Sequence, residues 1–291
     1  ILRCLVGSEM CIRDRTKTMK ESFALMWKCK PFRRILISGL LRAPLQLMMN
    51  IAMTLLTYYY CKGNLTYAFT KLDIFIIVLI LAGGLFIGQF VSMAISPALM
   101  KKYETKKVYN LFSGLSAVAF ALLFVVYLIA PTDLSKIGFV VIDGILFFGT
   151  GMGFGGVSVC QSVMISDCID YEEYHNGYRP DGIFFSGQSF ITKFSAGISS
   201  IISGYVFDAV GYTDININKM NEAIANGANF ATDYTSYSKA MWFLISIPPA
   251  IGMLLAVIPT LKYEIDKKSH NKMLEELVKR HKQNNQGDTN G

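Results

Sequence analysis

Apolar residues run in six stretches, each able to cross about 30 Å of hydrocarbon as a helix of about 20 residues. They cover 34–60, 73–100, 107–130, 137–166, 183–212 and 241–261. Before the first, residues 19–30 place Phe23, Leu25, Met26 and Trp27 in a short amphipathic helix suited to a membrane interface. Residues 213–238 are rich in Asn, Asp and Thr and read as a polar loop. After Lys262 the chain is charged, with Met273, Leu274, Leu277 and Val278 forming one helical stripe. From Gln283 onward the pattern predicts disorder. The pattern predicts an all-α membrane protein, a bundle of six transmembrane helices over 34–262, with a linker over 16–33 and a tail over 263–291.

Composition strengthens this reading. Apolar residues make up 52% of the 291-residue chain and charged residues 17%, with a mean hydropathy of +0.38. That hydrophobicity excludes disorder for most of the chain. The net charge of +7 is dispersed between apolar runs instead of forming one basic face, so no nucleic-acid partner is indicated. Lys and Arg residues alternate sharply between the two sets of connections, 18 against 5. The positive-inside rule then places both ends of the chain in the cytoplasm, in a multi-pass protein of the cell membrane.

Residues 5–15 read LVGSEMCIRDR, which matches the in-frame translation of a transposase-type sequencing adaptor. Residues 1–15 are therefore read as a cloning or assembly scar, and the natural protein is expected to continue upstream. The remaining cysteines, Cys29, Cys61, Cys160 and Cys168, show no spacing for zinc or a disulfide framework. Gly151–Gly156 matches G-x-G-x-x-G, yet it lies inside an apolar span, where small residues serve close helix packing. Gly84 and Gly88 read the same way.

Lys193 is the leading functional candidate. It lies about 18 Å along a helix from Asp181, near mid-membrane, where an ammonium needs a polar cavity or a counter-charge. Ser186 and Ser189 share its face, while Gln188 and Ser195 share another. Arg42 is read both as an interfacial anchor and as a substrate contact. Asp143 is expected to pair within the bundle, and Asp208 to lie at the interface. Asp167, Asp170, Glu172 and Glu173 crowd the C-terminal end of a helix, where the dipole disfavours anions. They need partners, for which Lys101, Lys102, Lys106, Lys107 and Arg179 are available, and a breakable clamp between helix ends is the expected use. The histidines His175, His270 and His281 lie in loops or tail, so no intramembrane catalytic pair is expected. The segment is not read as a metal site.

The pattern Asp167-x-x-Asp170-Tyr171-x-Glu173-Tyr174…Arg179-x-Asp181, followed by Gln188-x4-Lys193 and Gly211-Tyr212, resembles the glycoside–pentoside–hexuronide:cation symporter family of the major facilitator superfamily. The run Pro97 to Lys107 is similar to that family's basic loop. The resemblance covers residues 20–280 and maps onto the C-terminal six of twelve helices. It implies symport of a sugar or glycoside with a monovalent cation, sodium or proton, by alternating access. There is then no resident cofactor and no enzymatic activity. Lys193, Gln188, Ser189, Gln161 and Arg42 would line the substrate site. Asp167, Asp170, Glu173, Arg179, Asp181 and the four lysines would form the cytoplasmic gate. The family's sugar-site tryptophan falls at Ser158 here, and its cation carboxylates belong to an N-terminal half that this chain lacks. A lipid-type cargo, or a membrane protein without transport, are the alternative readings.

Overall fold

The computed structural model describes residues 18–287. The stretch 1–15, read as adaptor-derived, lies outside the described residues. Among the described residues the chain is helical, without strands. Helix α1 (Met19–Lys28) is opened by a reciprocal cap between Thr18 and Glu21. The first span consists of α2 (Lys30–Leu41), a break, α3 (Leu45–Leu55) and a π turn (Leu56–Tyr60). Then come α4 (Leu72–Lys102), α5 (Thr105–Ile129), α6 (Ile137–Asn176) and α7 (Asp181–Ala209). Two short helices, α8 (Asp214–Ala225) and α9 (Phe230–Asp233), precede α10 (Thr235–Leu261) and the tail helix α11 (Lys267–Gly287).

Six of these units are long and apolar enough to cross a membrane, as the pattern predicts. The boundaries differ. Helix α6 has 40 residues, about 60 Å at 1.5 Å per residue, and so extends past the hydrocarbon at the tail end. It stops at Gly177, whose φ of 66° is the left-handed conformation that glycine adopts without strain. The predicted polar loop 213–238 holds α8 and α9, with Met220, Ile224 and Phe230 packed inward. The tail remains helical to Gly287, past the predicted end of order at Gln283. Buried Met273 and Leu277 anchor this helix, and extending an existing helix is far easier than starting one.

Helix α4 packs on α6 through glycine. A Cβ at Gly84 would lie 2.4 Å from the Gly144 carbonyl, and one at Gly88 only 2.1 Å from that of Phe148. From the other side, Gly151 and Gly155 approach the carbonyls of Leu85 and Gln89 equally closely. The glycine run is thus a packing surface, as expected, because only a missing side chain lets two backbones come this near. Helix α10 closes the far side. Ser38 donates to the Ala256 carbonyl (2.6 Å) and pairs with the Tyr109 hydroxyl (2.8 Å), joining the first span, α5 and α10. Helix α7 lies at the edge. It meets the first span through Phe184, Gly187, Ser195 and Ser199, with the Phe184 ring stacked 3.9 Å from that of Phe32.

Candidate functional site

The break in the first span creates the polar centre of the bundle. Pro44 has no N–H to continue the helix, so the chain turns at Arg42–Pro44 and resumes at Leu45. Within the turn the Ala43 carbonyl accepts from the Gln46 N–H, and the Ser199 hydroxyl of α7 also donates to it, each at 3.0 Å. Arg42 reaches across to α6, where its Nη2 donates to Gln161 Oε1 at 2.6 Å. Its Nη1 is buried and has no partner among the described residues. Three helices converge here. A Cβ on Gly39 would lie 3.4 Å from both Gln161 Nε2 and a methyl carbon of Ile191. Broken helices that free backbone and side-chain polar groups near mid-membrane are the usual architecture of transporter sites.

Helix α7 has two unlike faces. Phe184, Gly187, Ser195, Ser199 and Ser203 are buried, whereas Ser186, Ser189, Lys193 and Ser200 are exposed. Lys193 points away from the packed face and makes no hydrogen bond or ion pair among the described residues. Gln188 is half-buried and shares the packed face, five residues from Lys193 and about 140° around the helix. The structure thus brings Arg42 and Gln161 together, but joins neither to Gln188, Ser189 or Lys193 by a hydrogen bond. Sequence reasoning missed two groups. Ser158, Ser162 and Ser166 form an exposed ladder on α6, each hydroxyl donating to the carbonyl four residues back, and their four-residue spacing was the available signal. Asn50 donates to Ser200 at 3.2 Å, tying the first span to the exposed side of α7.

At the tail end, the overhang of α6 carries the acidic cluster. Arg179 bridges three carboxylates, at 3.0 Å from Asp170, 2.7 Å from Glu173 and 3.0 Å from Asp181. The tail helix supplies the rest. His270 lies 3.6 Å from Asp167 and 3.1 Å from Asp170, and His281 lies 2.8 Å from Glu173. Hydrogen bonding to Asp170 raises the His270 pKa from its ordinary value, against the opposing effect of burial. These two histidines were expected only to be loop or tail residues. They become partners because α11 folds back over α6.

The basic loop makes other contacts. Lys106 and Lys107 pair with Glu104 at 3.8 and 3.4 Å, Lys102 covers the Tyr103 ring, and Lys267 donates to the Lys101 carbonyl. None of the four lysines reaches the acidic cluster within this bundle. The local loop pairs its own charges, because Glu104 is only two or three residues from Lys106 and Lys107. Among the described residues no group of His, Cys, Asp and Glu side chains is arranged to hold a metal ion.

Comparison with known proteins adds to this geometry. A profile of the family described as MFS/sugar transport protein matches residues 12–267. The isoprimeverose transporter of Lactiplantibacillus pentosus is 34% identical over 46% of this chain and 25% of its own length. A putative sulfoquinovose importer of Salmonella typhimurium is 24% identical over 67% of this chain and 36% of its own length. The lactose permease of Lactobacillus helveticus is 28% identical over 39% of this chain and 16% of its own length. The chain therefore spans about a third or less of each of these relatives. Six membrane-length helices, a polar break at mid-span and a family match over most of the sequence agree. The chain belongs to the MFS/sugar transport family: it is an integral membrane protein built as a half-bundle of major facilitator type, in a family of transporters and not of enzymes.

Proposed function

We propose that this bundle is one half of a cation-coupled symporter for a sugar or glycoside, working by alternating access against a second six-helix bundle. The observation that carries this reading is the Arg42–Gln161 pair at the broken first span, level with an edge helix whose unpaired Lys193 faces outward. A second bundle placed against that face would enclose Lys193, Ser189 and the α6 serine ladder. The result would be a cavity lined with hydroxyl, amide and cationic donors suited to sugar hydroxyls. Arg42 and Gln161 would close one wall, and Gln188 would support it from the packed side. The coupling cation is sodium or a proton, bound chiefly in the other bundle. Helix ends at the tail side, including Asp167, Asp170, Glu173, Arg179 and Asp181, would form the gate. Lys101, Lys102, Lys106 and Lys107 would meet the opposing bundle there. The basic bias of that side supports a cytoplasmic location for both chain ends in the cell membrane.

The test is uptake of labelled pentosides, hexosides and their sulfonated analogues by cells expressing the complete open reading frame. Accumulation of one sugar class that collapses when the sodium or proton gradient is dissipated is the expected result. Gradient-independent equilibration of every sugar, or transport of lipid alone, contradicts the proposal.

A further inference from the structure

A second polar cluster lies away from the Arg42–Gln161 centre, at the end of the bundle opposite the tail. Asp143 belongs to α6, six residues and about 9 Å from its start. It is fully buried, and neither carboxylate oxygen has a hydrogen-bond partner among the described residues. Among the described residues the pairing expected for it within the bundle is not formed, and no Lys, Arg or His makes an ion pair with it. The nearby Lys136 is taken by Asp133 at 2.9 Å.

The neighbours can be named element by element. The π turn of the first span turns Tyr59 and Tyr60 inward, both close enough for electrostatic interaction with Asp143. Tyr60 carries a hydroxyl that is also buried and unpartnered. The Tyr59 hydroxyl instead donates to the Pro131 carbonyl at 2.5 Å. Helix α5 contributes Tyr127, whose ring stacks 5.7 Å from that of Trp242, and the following turn contributes Asp133. Helix α10 contributes Trp242 and Ser238, whose Nε1 and Oγ are buried without partners. Helix α4 presents only apolar groups at this level, Ile80, Leu81 and the Gly84–Gly144 contact. Phe147, one turn along α6 from Asp143, lines an apolar cavity of about 190 Å³ with Tyr60, Trp242 and Leu81.

An anion in this setting has lost water and gained nothing in exchange. Neutralisation by a metal is disfavoured by the donor set, since the Trp242 N–H is a donor and the surrounding wall is apolar. A proton needs no further ligands. It also removes the charge that burial penalises, leaving a neutral carboxyl in the closed cluster.

We propose that Asp143 is a proton-binding site of this bundle, holding its proton while the end opposite the tail is closed and releasing it when that end opens to water. The reason is physical. A carboxylate formed in the closed cluster stays unsolvated between the π turn and α10, whereas separation of those two elements admits water to it. The inference stands independently of the cargo and of the proposed symport.

Two measurements on the intact 291-residue chain test it. The first is infrared spectroscopy at about pH 8, far above the ordinary carboxyl range, on wild type with and without carbon-13 carboxyl-labelled aspartate. The expected result is a protonated-carboxyl C=O band that shifts with the label and is absent from Asp143→Asn. Absence of that band from folded wild type overturns the proposal without need of the variant, as does its persistence in Asp143→Asn. The second measurement is alkylation of Cys61, a fully buried free thiol adjoining Tyr60, followed peptide by peptide in a mass spectrometer across a pH series. If opening releases one proton, the opening equilibrium rises about tenfold per pH unit. Wild type then shows that slope in addition to ionisation of the thiol itself, and Asp143→Asn retains only the latter. Equal slopes in both proteins overturn the link between proton release and opening.

Discussion

Arg42 and Gln161 are 119 residues apart in sequence and joined by a 2.6 Å hydrogen bond across two membrane-spanning units. The bond uses one nitrogen of the guanidinium and leaves Nη1 buried and unpaired, so the pair has spare donor capacity. That is the condition for a side chain that takes up a substrate oxygen without first breaking its own anchor.

Gln161→Leu should therefore unfasten Arg42 as well as remove an amide. In the transporter proposed above, the expected loss is about 10- to 100-fold in substrate affinity, corresponding to one hydrogen bond to a charged group. Gln161→Glu, which keeps an acceptor for Arg42, should retain the position of the guanidinium and lose less. Titration calorimetry with the transported sugar reads the difference. Equal losses in the two variants would show that Arg42 does not depend on residue 161.

Lys193→Ala should leave stability almost untouched, within about 0.5 kcal/mol, because the ammonium is exposed and unpaired in this bundle. If the proposed symport holds, the same change should abolish accumulation against a gradient. Thermal unfolding and uptake, measured on one preparation, separate the two effects. A variant that accumulates sugar normally removes Lys193 from the mechanism.

Gly88→Ala tests the packing surface. Its Cβ would fall 2.1 Å from the Phe148 carbonyl oxygen, so α4 and α6 must move apart. Overpacking of this kind costs about 1–3 kcal/mol. Gly114→Ala is the control, with no atom within 4 Å of its Cβ, and should be neutral or slightly stabilising through helix propensity. Equal unfolding midpoints for the two variants would refute the close approach.

Tail docking should depend on pH through His270. Its folded pKa is raised by the hydrogen bond to Asp170, so the stabilisation is fully present below the unfolded value of about 6.5. It is lost as pH rises through the folded value. Hydrogen exchange in α11, corrected for intrinsic rates, should show protection falling across that window. His270→Ala should show the lower protection already at acidic pH. Protection that is flat with pH in wild type would mean that His281 and the apolar contacts of Met273 and Leu277 hold the helix unaided.

The extents of legibility follow from what each feature depends on. Span count was readable because crossing hydrocarbon is a requirement on the summed hydropathy of a local window. The packing role of the glycine run was readable too, since a backbone approach needs small residues at helical spacing whatever the partner helix. Lys193 stood out from its apolar surroundings by composition alone. The acidic cluster was visible as a crowd of like charges needing partners. Of the basic residues expected to serve, only Arg179 does so within this bundle, because Lys106 and Lys107 find Glu104 nearby.

Sequence by itself determined the membrane class, the number of spans, the side of the chain that is basic, and the need for partners at charged positions. Tertiary structure alone decided who those partners are. His270 and His281 reach the acidic cluster from 100 or more residues away, Arg42 finds Gln161 across the bundle, and Asp143 finds no partner among the described residues. The physical reason is that hydropathy and helix propensity are sums over neighbours along the chain. Partner choice instead depends on the rotation and axial position of each helix against the others, which are settled only when the glycine and serine surfaces of the whole bundle pack at once.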